Sequence, residues 1–170
     1  IHPLQSFPEG AGAERFVSVS IGIEAEPPLY ARLEELACAL GATPLSLAGV
    51  DRARYHAAAV FAGNYVVALH ALAAEAFRAA GLPSDAARAA LAPLSRGAVK
   101  SVHARPLHEA LTGPLSRGDV ATVQAQLEAL SATPELASAY KVLGRALLTL
   151  PLSLDPAARA ELSRLLAPND

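Results

Sequence analysis

Two imidazoles and one carboxamide, those of His2, His56 and Asn64, are the side chains best placed to do chemistry. Hydride transfer at a carbonyl or alcohol carbon needs a proton donor or acceptor at the oxygen, and imidazole titrates in the useful range. On a helix, His56 and Asn64 are eight residues apart, about two turns plus a small rotation, so both can face one cleft with Val60 between them. The plainer alternatives are a helix-start histidine bonded locally and an asparagine whose amide is satisfied inside a core.

A second group runs from Thr112 to Asp119. It joins a tight turn, the guanidinium of Arg117 and a helix start at Asp119, where free N–H groups can hold an anion. Equally, Asp119 is an ordinary N-cap and Arg117 a surface charge. Arg96, Lys100 and His103 form a basic stripe at helical spacing, suited to a phosphate or acidic substrate or simply to a solvated face. His70 and His108 have no ligand-spaced partners, and no metal site is expected. Gly10-Ala11-Gly12 opens like a dinucleotide-binding loop, but Arg15 stands at the sixth position and no strand precedes it, so it is rejected as a phosphate cradle.

The elements that must position these groups follow from hydrophobic spacing. Residues 16 to 24 alternate, with Val17, Val19, Ile21 and Ile23 on one face, which predicts a strand. Pro27-Pro28 opens a helix with Leu29, Leu33, Leu36 and Leu40 in its stripe, and Gly41 suits a left-handed cap. Residues 43 to 47 read as a second strand, giving a strand–helix–strand unit whose uncovered sheet edges call for further strands. From Asp51 onward the texture is helical. One helix is expected from Asp51 to about Ala80, apolar nearly all round and hence buried on most sides. The next is capped by Ser84 and kinked near Pro93 and Gly97, and residues 106 to 118 form a loop with one helical turn. Helices then begin near Asp119, Pro134 and Pro156. The expected boundary lies near residue 49, dividing 1–49 from 50–170.

The near balance of 14 basic and 16 acidic residues gives no field for nucleic acid or an anionic membrane. The apolar run 57–74 is about the minimum spanning length, yet it contains Asn64 and His70 and reads as a core helix. Cys38, the only cysteine, is expected as a small buried residue in a reducing compartment. No secretory signal pattern opens the chain, and a cytoplasmic location is expected. With no methionine in 170 residues, the sequence is expected to be processed, truncated or missing an upstream part.

Three blocks, Ile1-His2-Pro3-Leu4-Gln5-Ser6-Phe7, Tyr55 to Asn64 and Leu111 to Asp119, resemble a family with an N-terminal Rossmann-like domain and a C-terminal helical domain of unassigned function. That family lies within the group whose helical domain is similar to that of 6-phosphogluconate dehydrogenase. The resemblance implies a mainly α chain: the last part of a Rossmann-like NAD(P)-binding domain, then an all-helical substrate and dimerisation domain. It implies an NAD(P)-dependent oxidoreductase acting on a small anionic hydroxy, keto or imino substrate, with the glycine-rich cofactor loop upstream. His2-Pro3 is similar to a His-Pro motif placed near nicotinamide and substrate in related dehydrogenases. Asn64 matches an asparagine that other relatives pair with a lysine one turn away, but Val60 occupies the lysine position. The implied catalytic set is therefore His2, His56 and Asn64, with Gln5, Ser6, Thr112 and Arg117 toward substrate and His2 and Pro3 toward cofactor. A homodimer is implied. The competing expectation is a non-catalytic dimeric nucleotide-binding or sensor protein on the same fold.

Overall fold

The structure, a computed structural model, describes residues 1–168, the Ser84 side chain apart. It divides into two compact units, Ile1–Leu69 and His70–Asp170.

In the first unit, β1 (His2–Pro3), a 3-10 turn (Ala13–Phe16), β2 (Ser20–Ile23), α1 (Pro27–Ala39), β3 (Thr43–Ser46) and α2 (Arg52–Ala62) follow in order. Strand β2 is central. It pairs in parallel with β3, Ser20 opposite Thr43 and Ile23 opposite Ser46, and α1 makes the crossover between them. On its other side it pairs antiparallel with β1, His2 opposite Gly22 and Pro3 opposite Ile21. The order β1-β2-β3 leaves β1 and β3 as the two margins of the sheet among the described residues.

Strand β2 starts later than the alternation predicts. The 3-10 turn occupies Ala13–Phe16, and Ser18 takes a left-handed φ of +63° while donating its N–H to Gly41 O at 2.8 Å. Helix α1 starts on its two prolines and ends at Gly41, whose φ of +74° lets the Ala42 N–H reach back to Ala37 O at 3.0 Å. Its buried face is Tyr30, Leu33 and Ala37, packed on Ile21, Ile23 and Ala42. The expected leucine stripe is thus turned partly outward. Leu29 and Leu36 are exposed, and so is Cys38, because it follows Ala37 by one residue and is rotated off the sheet-facing side.

Helix α2 is anchored at its start twice over. Asp51 accepts the Arg54 N–H at 3.1 Å, and Arg52 forms an ion pair with Glu24, the residue just past β2. The helix stops at Gly63 and α3 (Asn64–Ala79) resumes at the next residue. No residue of α2 or α3 is buried, contrary to the sequence expectation of a central core helix. Phe61 and Val67 are 68% and 73% exposed: all-round apolarity requires a cover that the described chain does not supply. The run Arg52–Ala79 is long and apolar enough to cross a membrane by length and composition.

The second unit carries α4 (Ser84–Ala104), two single-turn helices α5 (Leu107–Ala110) and α6 (Pro114–Arg117), then α7 (Val120–Ala129), α8 (Pro134–Leu148) and α9 (Pro156–Leu165). Helix α4 runs without interruption across Pro93 and Gly97, and its N-cap is Pro83; a Ser84 side-chain cap lies outside the described residues. Asp119 and Asp155 cap α7 and α9 with their carboxylates. Val123, Leu162 and Leu166 are fully buried around Leu115, with Tyr140 and Leu147 against them. Arg159 reaches Leu148 O and Leu152 O at 2.9 Å each, satisfying carbonyls at the end of α8 and in the loop beyond.

Candidate functional site

His2 sits opposite Gly22 in the ladder, and the first turn of α2 lies over this pair. Its Nδ1 is 3.1 Å from the hydroxyl of Tyr55, with the two rings edge to face at 5.4 Å. The ring of His56 is 5.7 Å away. A Cβ on Gly22 would lie 2.7 Å from Tyr55 Oη and 2.8 Å from Leu47 Cδ1, so the phenol's position depends on a residue without a side chain.

These groups open on a cleft of about 550 Å³, within the range of about 300–1,000 Å³ usual for small-molecule sites. His2, Pro3, Gln5 and Ser6 form one wall, and Tyr55, His56, Ala59, Gly63 and Asn64 the other. Small residues at 59 and 63, one and two turns beyond Tyr55, keep the helical wall open. The first wall is braced locally: Ser6 N–H donates to Gln5 Oε1 at 2.8 Å, and Arg15 donates to Ser6 O at 3.0 Å. Burial pushes the Tyr55 phenol above its ordinary value, so it remains protonated and able to donate near neutral pH. No Asp, Glu, Lys or Arg is among the residues that line the cleft, whose polar groups are those of His2, Gln5, Ser6, Tyr55, His56 and Asn64.

Six expected site residues, His2, Pro3, Gln5, Ser6, His56 and Asn64, therefore share one cleft. Thr112 belongs to the second unit, where it lines another cleft of about 310 Å³ with Leu111, Gln126 and Tyr140. Arg117 ends α6 and lines neither cleft. Asp119 spends its carboxylate on Thr122, accepting its N–H at 3.1 Å and its hydroxyl at 2.7 Å, and so occupies the helix start itself. Arg96, Lys100 and His103 are exposed. Among the described residues no three His, Cys, Asp or Glu are grouped to hold a metal. Tyr55 is the residue that sequence reasoning passed over. Its adjacency to His56 was the available signal, but its bond to His2 spans 53 positions.

The profile of a family described as a domain of unknown function, DUF2520, matches residues 19–147. The chain belongs to the DUF2520 family. The match includes Tyr55, His56, Asn64, Thr112 and Arg117, and begins after the His2–Ser6 wall. No curated protein matches. Among solved structures, this DUF2520 chain resembles a Bacteroides fragilis protein, BF3122, provisionally assigned as an NADP oxidoreductase, with 28% identity and a TM-score of 0.69. The likeness covers 85% of this chain and 54% of that one, so the chain spans about half of its neighbour's length. The DUF2520 fold described here is accordingly that of an NAD(P)-oxidoreductase-like protein, helical in the main with a small mixed sheet.

Proposed function

We propose that this chain forms the substrate-side wall of an NAD(P)-dependent oxidoreductase that moves hydride on a small, anionic hydroxy, keto or imino compound. The observation that carries the reading is the convergence of His2, His56 and Asn64 on one cleft, in a fold shared with a protein assigned to NADP chemistry.

The residues present suit one end of such a cofactor. His2 and Pro3 would lie against the nicotinamide, and Gln5 and Ser6 toward the substrate, in a cleft of fitting volume. The pyrophosphate has no cradle among the described residues, because Gly10 and Gly12 lead into a four-residue 3-10 turn rather than from a strand into a helix. A Rossmann-like partner domain would supply it, with the helical region belonging to the 6-phosphogluconate-dehydrogenase-like group, and the bound nicotinamide would supply the hydride donor or acceptor. The chain's own part is to bind the substrate oxygen, polarise it through a hydrogen bond from His2, exchange a proton with it through His56, and hold it with the Asn64 amide. Thr112 and Arg117 are the second unit's part in substrate binding on this reading.

We assign the open Arg52–Ala79 run to a second copy of the chain rather than to a lipid bilayer, since Asn64 within it lines the same cleft as His2 and His56. The protein is then a cytoplasmic homodimer that binds no nucleic acid.

The test is thermal denaturation of protein extended upstream of Ile1 to its neighbour's length. NADPH or NADH at 100 times its Kd adds about 2.7 kcal/mol and raises the Tm. No shift with either nucleotide, where a known dehydrogenase responds, overturns the reading. The valine at position 60, where relatives place lysine, favours a second reading: a dimeric nucleotide-binding sensor without turnover. Binding with no hydride exchange across a panel of small hydroxy acids would decide for it.

A further inference from the structure

We propose that Tyr55 is a positioning residue that fixes His2 as a hydrogen-bond donor toward the cleft, its ring proton on Nε2, leaving proton uptake at the reacting oxygen to His56. The consequence for a reaction rests on the oxidoreductase reading above; the geometry does not.

Three elements converge on this bond. Strand β1 carries His2, β2 places the bare Gly22 opposite it, and the Asp51 cap and Arg52–Glu24 pair set the first turn of α2 so that Tyr55 Oη comes 3.1 Å from Nδ1. Among the described residues neither Tyr55 Oη nor His2 Nε2 has another hydrogen-bond partner. Two arrangements would satisfy the pair: the phenol donating to a bare Nδ1, or an Nδ1–H donating to the phenol oxygen. The first joins the stronger donor to the stronger acceptor, because a phenol is far more acidic than a neutral imidazole N–H and an imidazole lone pair far more basic than a phenol oxygen.

Once neutral, His2 then carries its hydrogen on Nε2 and has no free lone pair in the ring plane. It can polarise a carbonyl oxygen by donating to it, but it cannot take a proton from an alcohol. His56, with its ring 5.7 Å away, makes no hydrogen bond through either nitrogen among the described residues and keeps a lone pair for that task.

The experiment is long-range ¹H–¹⁵N correlation of the histidine rings in the labelled 170-residue chain, above the pH at which they titrate, with His2 assigned by its loss in His2→Gln. The expected result is Nε2–H with a bare Nδ1, and a rise of about fivefold in the Nδ1–H to Nε2–H ratio in Tyr55→Phe, the equivalent of one ordinary hydrogen bond. A His2 ring protonated on Nδ1 in the native chain, or an unchanged ratio in a folded Tyr55→Phe variant, overturns the proposal. Should that variant unfold, 3-fluorotyrosine keeps the hydroxyl and makes it more acidic; it should lower the ratio, and no change overturns the proposal equally. Failure to bind NADPH leaves this ratio untouched, so the two readings fail separately.

Discussion

Asp119 and Thr122 close the start of α7 on each other, the carboxylate accepting both the hydroxyl at 2.7 Å and the N–H at 3.1 Å. The Thr122 hydrogen bonds, side chain first and then backbone, hold the Asp119 carboxyl below its ordinary value of 3.8. A depressed folded-state value means that the contribution is fully present above the unfolded value and lost as pH falls through the folded one. Asp119→Asn should therefore lower the Tm at pH 7, and the gap to the parent should narrow on acidification below pH 3.8. Thermal melts at pH 7 and pH 3 check it; a constant gap would show that the charge does not matter.

Gly144 faces Leu166 inside the second unit, and an added Cβ would lie 2.8 Å from Leu166 Cδ2. Leu166 is fully buried. Ala gains about 1 kcal/mol of helix propensity over Gly, whereas overpacking costs about 1–3 kcal/mol. Gly144→Ala should come out less stable by about 1 kcal/mol in urea titration, although the same change in an open helix stabilises.

Ser18 is the non-glycine residue with positive φ among those described, and its side chain is exposed. Removing the left-handed penalty with Ser18→Gly should gain up to about 1 kcal/mol, offset in part by a looser unfolded chain. Denaturant midpoints decide, and a loss of stability would mean that the hydroxyl contributes more than the φ angle costs.

The proposed reaction makes distinct demands on the cleft residues. In the upstream-extended protein, His56→Gln should lower kcat/KM by about 10²–10⁴-fold, the usual share of a general acid or base. Asn64→Ala should act mainly through KM. If both variants stay folded and cellular function is unchanged, turnover is not what the site is for.

Much of the scaffold was legible because short-range chemistry determines it. The proline starts at Pro27, Pro134 and Pro156, the helix starts at Asp51 and Asp119 and the left-handed Gly41 each depend on a few neighbouring residues. Strand β1 was not legible. Two residues have no periodicity, and only pairing with Gly22 and Ile21 makes His2–Pro3 a strand. The same reason hid Tyr55, whose role depends on a side chain from the far end of the unit. The exposed state of α2 and α3 escaped for a different one: apolarity predicts that a surface will be covered, but not by which chain.

The His2–Tyr55 bond closes a loop of 53 positions and ties the two walls of the cleft together. Its ends meet at a cost in chain entropy that any molecule bound between them helps to repay. Occupancy should thus rigidify the opening strand first, visible as slowed amide exchange at residues 2–6 and 20–23. A chain cut between Gly49 and Asp51 would bind more weakly, even with both walls chemically intact.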